Sequence, residues 1–124
     1  MHLFYSLIKL HGEMSIDQNY DKIHFTDTMG VYYQNENEVY DYIGSILEVT
    51  LLENSTEVYG FFYNTGVARK IISMIRGNKL RPIFTGMVLG DKKRIDKIII
   101  DGFSLEEIDE DIGSKISMIR PIYN

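Results

Sequence analysis

The chain has 124 residues, of which 44% are hydrophobic and 25% charged, and its formal net charge is −5. That length suits one domain over residues 1–124, large enough to bury a core without staples. The absence of cysteine excludes a disulfide framework, a thiol nucleophile and any thiolate metal site.

The charge is unevenly spread. Residues 68–97 hold nine basic and two acidic side chains, whereas residues 1–67 hold two basic and ten acidic. The negative total argues against general nucleic-acid binding, and the basic segment marks a local anion site as a candidate. The longest aliphatic run is Ile98-Ile99-Ile100, far short of the ~20 residues of a membrane span. Residues 1–12 lack a basic stretch followed by a clean apolar run, so no signal peptide and no membrane partner are expected, and a cytoplasmic location is.

Leu3–Leu10 is rich in Leu, Ile, Phe and Tyr and predicts a first strand, closed by a turn at His11-Gly12-Glu13. Lys22–Thr26 alternates and predicts a short strand. Thr28–Tyr33 is expected as its hairpin partner, with the turn near Asp27. Residues 35–47 are ambiguous. Val39, Ile43, Ile46 and Leu47 fit a helical stripe, but Gly44 opposes a stable helix interior. Leu47, Val49 and Leu51 then alternate with polar residues, and a hairpin of Ile46–Leu52 with Glu57–Tyr63 is expected.

The clearest helix runs over about 66–76. Thr65 is its expected N-cap, Val67, Ile71, Met74 and Ile75 its apolar stripe, and Gly77-Asn78 its stop. A second hairpin pairs Ile83–Leu89 with Ile95–Asp101. Ser104-Leu105-Glu106-Glu107 matches a capping box and predicts a short second helix over about 105–112. Lys115–Ile119 predicts a last strand, with Pro121 suited to a sheet edge. The fold class is therefore α+β: a mainly antiparallel sheet built from hairpins, with both helices packed on one face.

Four groups of residues carry candidate chemistry. Thr65, Gly66, Arg69, Lys70, Arg76 and Arg81 come from the helix and its exit, and Lys92, Lys93 and Arg94 from the second hairpin's tip. Brought together, they would form an anion site in which Arg forks match phosphate oxygens. Tyr32, Tyr33, Tyr40 and Tyr42, interleaved with Glu36 and Glu38, read as a patch for a protein partner. His24-Phe25-Thr26 is an H-x-T motif of the kind a two-histidine phosphoesterase needs twice, and no second copy is present. Glu106, Glu107, Asp109, Glu110 and Asp111 cluster without a calcium-loop pattern, so no metal site is assigned, and no cofactor is implied.

With no complete constellation of acid, base, nucleophile and metal, the expected function is stoichiometric binding without turnover. The chain reads as a small inhibitor or sequestering protein, in the manner of a phage or mobile-element antagonist or an immunity protein. Its expected ligand is a nucleotide-like anion, with capture across a homo-oligomer interface as one arrangement, or a basic enzyme met by acidic residues such as Glu36, Glu38 and Asp41. The alternatives are a phosphoesterase-like enzyme using His24 and a purely structural subunit.

Overall fold

A computed structural model describes residues 1–9, 20–34, 37, 39–52, 55–77, 80–90, 94–107 and 114–121. The described elements are β1 (His2–Ile8), a 3₁₀ turn (Tyr20–Lys22), β2 (Ile23–Gln34), β3 (Tyr40–Leu51), β4 (Thr56–Phe62), α1 (Gly66–Arg76), β5 (Arg81–Gly90), β6 (Ile95–Glu106) and β7 (Lys115–Pro121). The strands form one sheet in the order β5-β6-β2-β3-β4-β1-β7. Every neighbouring pair is antiparallel except β2 with β6, which is parallel.

Two expected hairpins are present. β3 and β4 pair from Leu51↔Thr56 to Gly44↔Phe62, and β5 and β6 pair from Gly90↔Ile95 to Arg81↔Glu106. Pro121 is the last residue of the edge strand β7, a position that tolerates a residue without an N–H.

Two expectations are corrected and one ambiguity is resolved. Residues 23–34 are one strand, not a hairpin. Ile23–Phe25 pair with Ile98–Ile100 and Gly30–Tyr33 with Gly102–Leu105, so Thr26–Met29 are accommodated opposite the single residue Asp101. The polar Thr26-Asp27-Thr28 steps out of the ladder and the chain re-enters in the same direction. Both arrangements use the same turn-forming residues, and local sequence does not separate them.

Residues 40–47 are strand, and the helical spacing has a specific origin. The β2–β3 register skips Ile43 and the β3–β4 register skips Leu47, two bulges four residues apart. Each bulge shifts the inward–outward alternation by one and imitates a period between three and four. Gly44 is required here, because a Cβ at this position would run into the carbonyl oxygen of Phe61.

The second helix does not begin at Ser104. Ser104, Leu105 and Glu106 complete β6, a strand flanked by β5 and β2 on its two sides. Ser104 is paired by register with Ile83 and Tyr32 and is buried, so the ladder outcompetes the local cap. The remainder of the expected helix, residues 108–112, lies outside the described residues.

The sheet is strongly curled. β6 and β1 are four strand steps apart, roughly 19 Å across a flat sheet. Yet the rings of Phe103 on β6 and Phe4 on β1 are 5.5 Å apart, and β5 comes against β1 and β7. The inner face thus closes around Phe4, Phe62, Phe103, Ile98, Ile100, Val31 and Val58, all buried. Ser114 Oγ accepts from the Lys9 amide at 2.8 Å and ties the end of β1 to the start of β7.

The single described helix, α1, buries Ala68, Ile71, Ile72 and Ile75, while Val67 is 45% exposed. The stripe is therefore rotated by about one residue from the expected one: Ala68 and Ile72 replace Val67, and Met74 is only partly buried. Thr65 is the N-cap, its Oγ1 accepting from the Ala68 amide at 3.1 Å, and the Gly77 amide donates to the Ser73 carbonyl at 3.1 Å. Phe103→Ala should cost about 3–5 kcal/mol, because it removes the ring that spans the curled sheet between Phe4 and Phe84. Val67→Ala on the exposed side of α1 should stay within about 0.5 kcal/mol. Urea unfolding of the two variants checks the contrast.

Candidate functional site

The basic residues expected to converge do so only in part. Gly66 directly follows the β4 exit, and Phe62 at that exit is paired by register with His2 of β1 and Gly44 of β3. Arg69 and Arg76 are two helical turns apart and share one side of α1. With His2, Ile72 and Ser73 they line a cavity of about 210 Å³. Among the described residues the lining set contains two guanidinium groups, an imidazole and a hydroxyl, and no carboxylate. Arg69 is held in place, its Nη1 donating to Asn64 Oδ1 at 2.9 Å, and Ser73 Oγ donates to the Arg69 carbonyl at 3.3 Å.

His2 has a pKa below the ordinary histidine value. Burial is the first cause, followed by repulsion from the terminal amine and from Arg76. Both burial and the neighbouring positive charges disfavour the imidazolium.

The other expected anion-site residues are placed differently. Lys70 is exposed on α1 and does not line the cavity. Thr65 uses its hydroxyl as the helix cap, and Gly66 has open space around it. Arg81 starts β5 opposite Glu106, with its Nε buried and without a hydrogen-bond partner. Arg94 forms an exposed ion pair with Asp96 at 3.3 Å. It lies at the far end of the hairpin, where Gly90 pairs with Ile95, roughly 30 Å along β5 from Arg81. Lys92 and Lys93 lie outside the described residues. Of the described basic residues, Arg69 and Arg76 line the cavity, whereas Lys70, Arg81 and Arg94 do not. His2 was missed because its role depends on β1 pairing with β4, which no local pattern encodes.

The tyrosines form a second feature on the outer face. Tyr32 packs against Tyr40 and Tyr42 at 6.4 and 5.4 Å between ring centroids, Tyr42 against Tyr63 at 5.3 Å, and Tyr63 against Phe61 at 5.4 Å. Gly30 makes room for this layer, since a Cβ there would strike the Tyr32 and Tyr42 rings. The hydroxyls of Tyr42, Ser45 and Tyr63 close a triangle with sides of 2.8, 2.7 and 2.8 Å. Tyr32, Tyr40 and Tyr42 are therefore together as expected. Tyr33 packs partly buried against the core, and Glu36 and Glu38 lie outside the described residues. Phe61, Tyr63 and Ser45 join the patch through the β3–β4 ladder. Their signal in the sequence was the alternation Phe61-Phe62-Tyr63, which puts Phe61 and Tyr63 on the face opposite buried Phe62.

Within the triangle the two phenols diverge. Hydrogen bonds from Ser45 and then Tyr63 lower the Tyr42 pKa. For Tyr63 the Ser45 bond also lowers, but donation to Tyr42, burial and the nearby phenols outweigh it and the net shift is upward.

His24 is exposed on β2 opposite Ile99, seven residues before the Val31 position whose register row leads through Gly44 and Phe62 to His2. The two histidines do not face each other. Among the described residues no group of three His, Asp or Glu side chains is placed to hold a metal ion; Asp109, Glu110 and Asp111 lie outside that set. No described helix is long and apolar enough to cross a membrane.

Two pH effects follow. The folded His2 pKa lies below that of the unfolded chain, so the unfolded state takes up the proton first as pH falls. His2 therefore costs stability progressively below about 6.5, down to its lowered folded value. His2→Gln should flatten that part of the melting temperature against pH curve. Ser45→Ala removes the hydrogen bond that most lowers the Tyr42 pKa, so the Tyr42 phenol should titrate at higher pH, as read by phenolate absorbance.

Compared with known protein families, curated proteins and solved structures, the chain matches none.

Proposed function

We propose that the protein is a stoichiometric binding protein that captures a phosphate-bearing, nucleotide-like ligand through the His2, Arg69 and Arg76 cavity, and that it inhibits or sequesters by occupancy without turnover. The observation that carries this reading is the cavity's composition: paired guanidinium groups, an imidazole and a hydroxyl around about 210 Å³, with no carboxylate among the described lining residues. Guanidinium forks suit phosphate oxygens, and the Asn64 bond pre-orients Arg69 so that less entropy is lost on binding. The volume is below the roughly 300–1,000 Å³ of whole-ligand pockets, so it takes the phosphate end and leaves the rest of the ligand on the surface.

Phosphate binding also explains a use for His2. A bound anion stabilises the imidazolium, so binding takes up a proton and affinity should rise on acidification below about 6.5. A proton-coupled affinity of this sign separates the cavity from a simple lysine patch.

The test is a thermal-shift and calorimetric screen with pyrophosphate, nucleotides and the uncharged nucleosides. A ligand at ~100 times its dissociation constant should add about 2.7 kcal/mol. Arg69→Gln with Arg76→Gln should abolish the shift, while Lys70→Gln should keep most of it. A flat response to every anion, or an unchanged response in the double variant, would overturn the reading.

A further inference from the structure

The two guanidinium groups of the cavity are held apart. Arg69 lies in the first turn of α1 and Arg76 in the last, about 10 Å apart along the helix axis. Long side chains on a helix lean toward its N-terminus, so both lean the same way and the spacing is kept. For Arg69 the lean is fixed. Its Nη1 donates to Asn64 Oδ1 at 2.9 Å, and Asn64 precedes the N-cap Thr65. That bond draws Arg69 away from Arg76, so the pair does not close as one clamp on a single phosphoryl group.

The ends of the cavity differ from its middle. His2 stands with Arg76, whose charge is one of the causes that lower the His2 pKa. At the Arg69 end the helix macrodipole adds positive potential, and Gly66 has open space around it. Ser73 lies between the two arginines on the same side of α1. Its hydroxyl donates to the Arg69 carbonyl at 3.3 Å, so toward a ligand it presents oxygen lone pairs. An acceptor at that point repels a phosphate oxygen and suits a ligand hydroxyl.

We infer that the cavity takes a ligand with two phosphoryl groups on separate positions of one hydroxylated sugar, one group held at Arg69 and the other at Arg76. This rests on phosphate capture by the cavity and adds the spacing of the ligand's charges. A volume of about 210 Å³ is below that of a whole-ligand pocket, so the rest of the ligand stays outside.

Titration calorimetry of the whole chain with four probes tests the spacing: AMP, ADP, adenosine 3′,5′-bisphosphate and inorganic tripolyphosphate. The bisphosphate should bind about 10- to 100-fold tighter than AMP, because it engages a second charged hydrogen-bonding end. ADP carries the same two phosphoryl groups at one position and should gain far less. Tripolyphosphate has the reach but a charged middle, and should bind more weakly than the bisphosphate. Arg69→Gln and Arg76→Gln, made singly, should each bring the bisphosphate down to the level of AMP.

ADP or tripolyphosphate binding as tightly as the bisphosphate would overturn the inference while leaving phosphate capture standing. So would a single variant that keeps the full preference for the bisphosphate. No binding of any of the four would overturn capture itself and the inference with it. Should a variant not fold, the wild-type series alone decides.

Discussion

The parallel pairing of β2 with β6 is the constraint on which the rest of the structure depends. β1, β3, β4 and β7 are joined by antiparallel ladders on one side of it, and the β5–β6 hairpin lies on the other. Without the β2–β6 seam these would be separate pieces, and a two-stranded hairpin alone is marginal in water. The seam is built by Ile23–Phe25 against Ile98–Ile100 and by Gly30–Tyr33 against Gly102–Leu105. Its partners are some seventy residues apart along the chain, so loop-closure entropy opposes it. Burial of Ile23, Ile98, Ile100, Val31, Phe103 and Leu105 offsets that cost.

The seam also dictates the curl. The bulge at Thr26–Met29 and the extra residues at Asp96 and Asp101 bend the sheet around its middle. The curl carries β6 back toward β1, where Phe103 meets Phe4 and Phe4 meets Phe62 at 4.7 Å. The surfaces follow from this geometry. The inner face is filled by aromatic and β-branched side chains, while the outer face displays the tyrosines over the small residues Gly30 and Gly102. The chain leaving β4 is turned into α1 beside His2, and that turn brings Arg69 and Arg76 to an imidazole fifty residues or more away in sequence.

The basic segment that stands out in the sequence is divided by the fold. A charge cluster in sequence becomes a site only if the backbone folds it onto itself. Arg69 and Arg76 of α1 line the cavity, while Arg94 lies at the opposite end of β5 from Arg81 and pairs with Asp96. The cavity is instead completed by β1, from an acidic half of the chain. Tyr32, Tyr40 and Tyr42 behave in the opposite way. They are close in sequence, and a β2–β3 hairpin keeps them close in space.

What the sequence by itself determined are the features governed by local chemistry. Thr65 caps α1 because its hydroxyl reaches an amide three residues on, the β3–β4 and β5–β6 hairpins close over short connections, and Pro121 suits an edge because it has no N–H to pair. What only the tertiary structure decided are the features governed by partners distant in the chain. Bulges at Ile43 and Leu47 left β3 ambiguous between helix and strand, because a one-residue shift of a period of two resembles a period of three to four. Ladders on both sides of β6 overrode the capping motif at Ser104, since a strand paired on both edges satisfies more backbone groups than one helix cap does. The strand order, the curl and the His2 contribution to the cavity all depend on which segments pair, and pairing between distant segments leaves no period in the sequence to read.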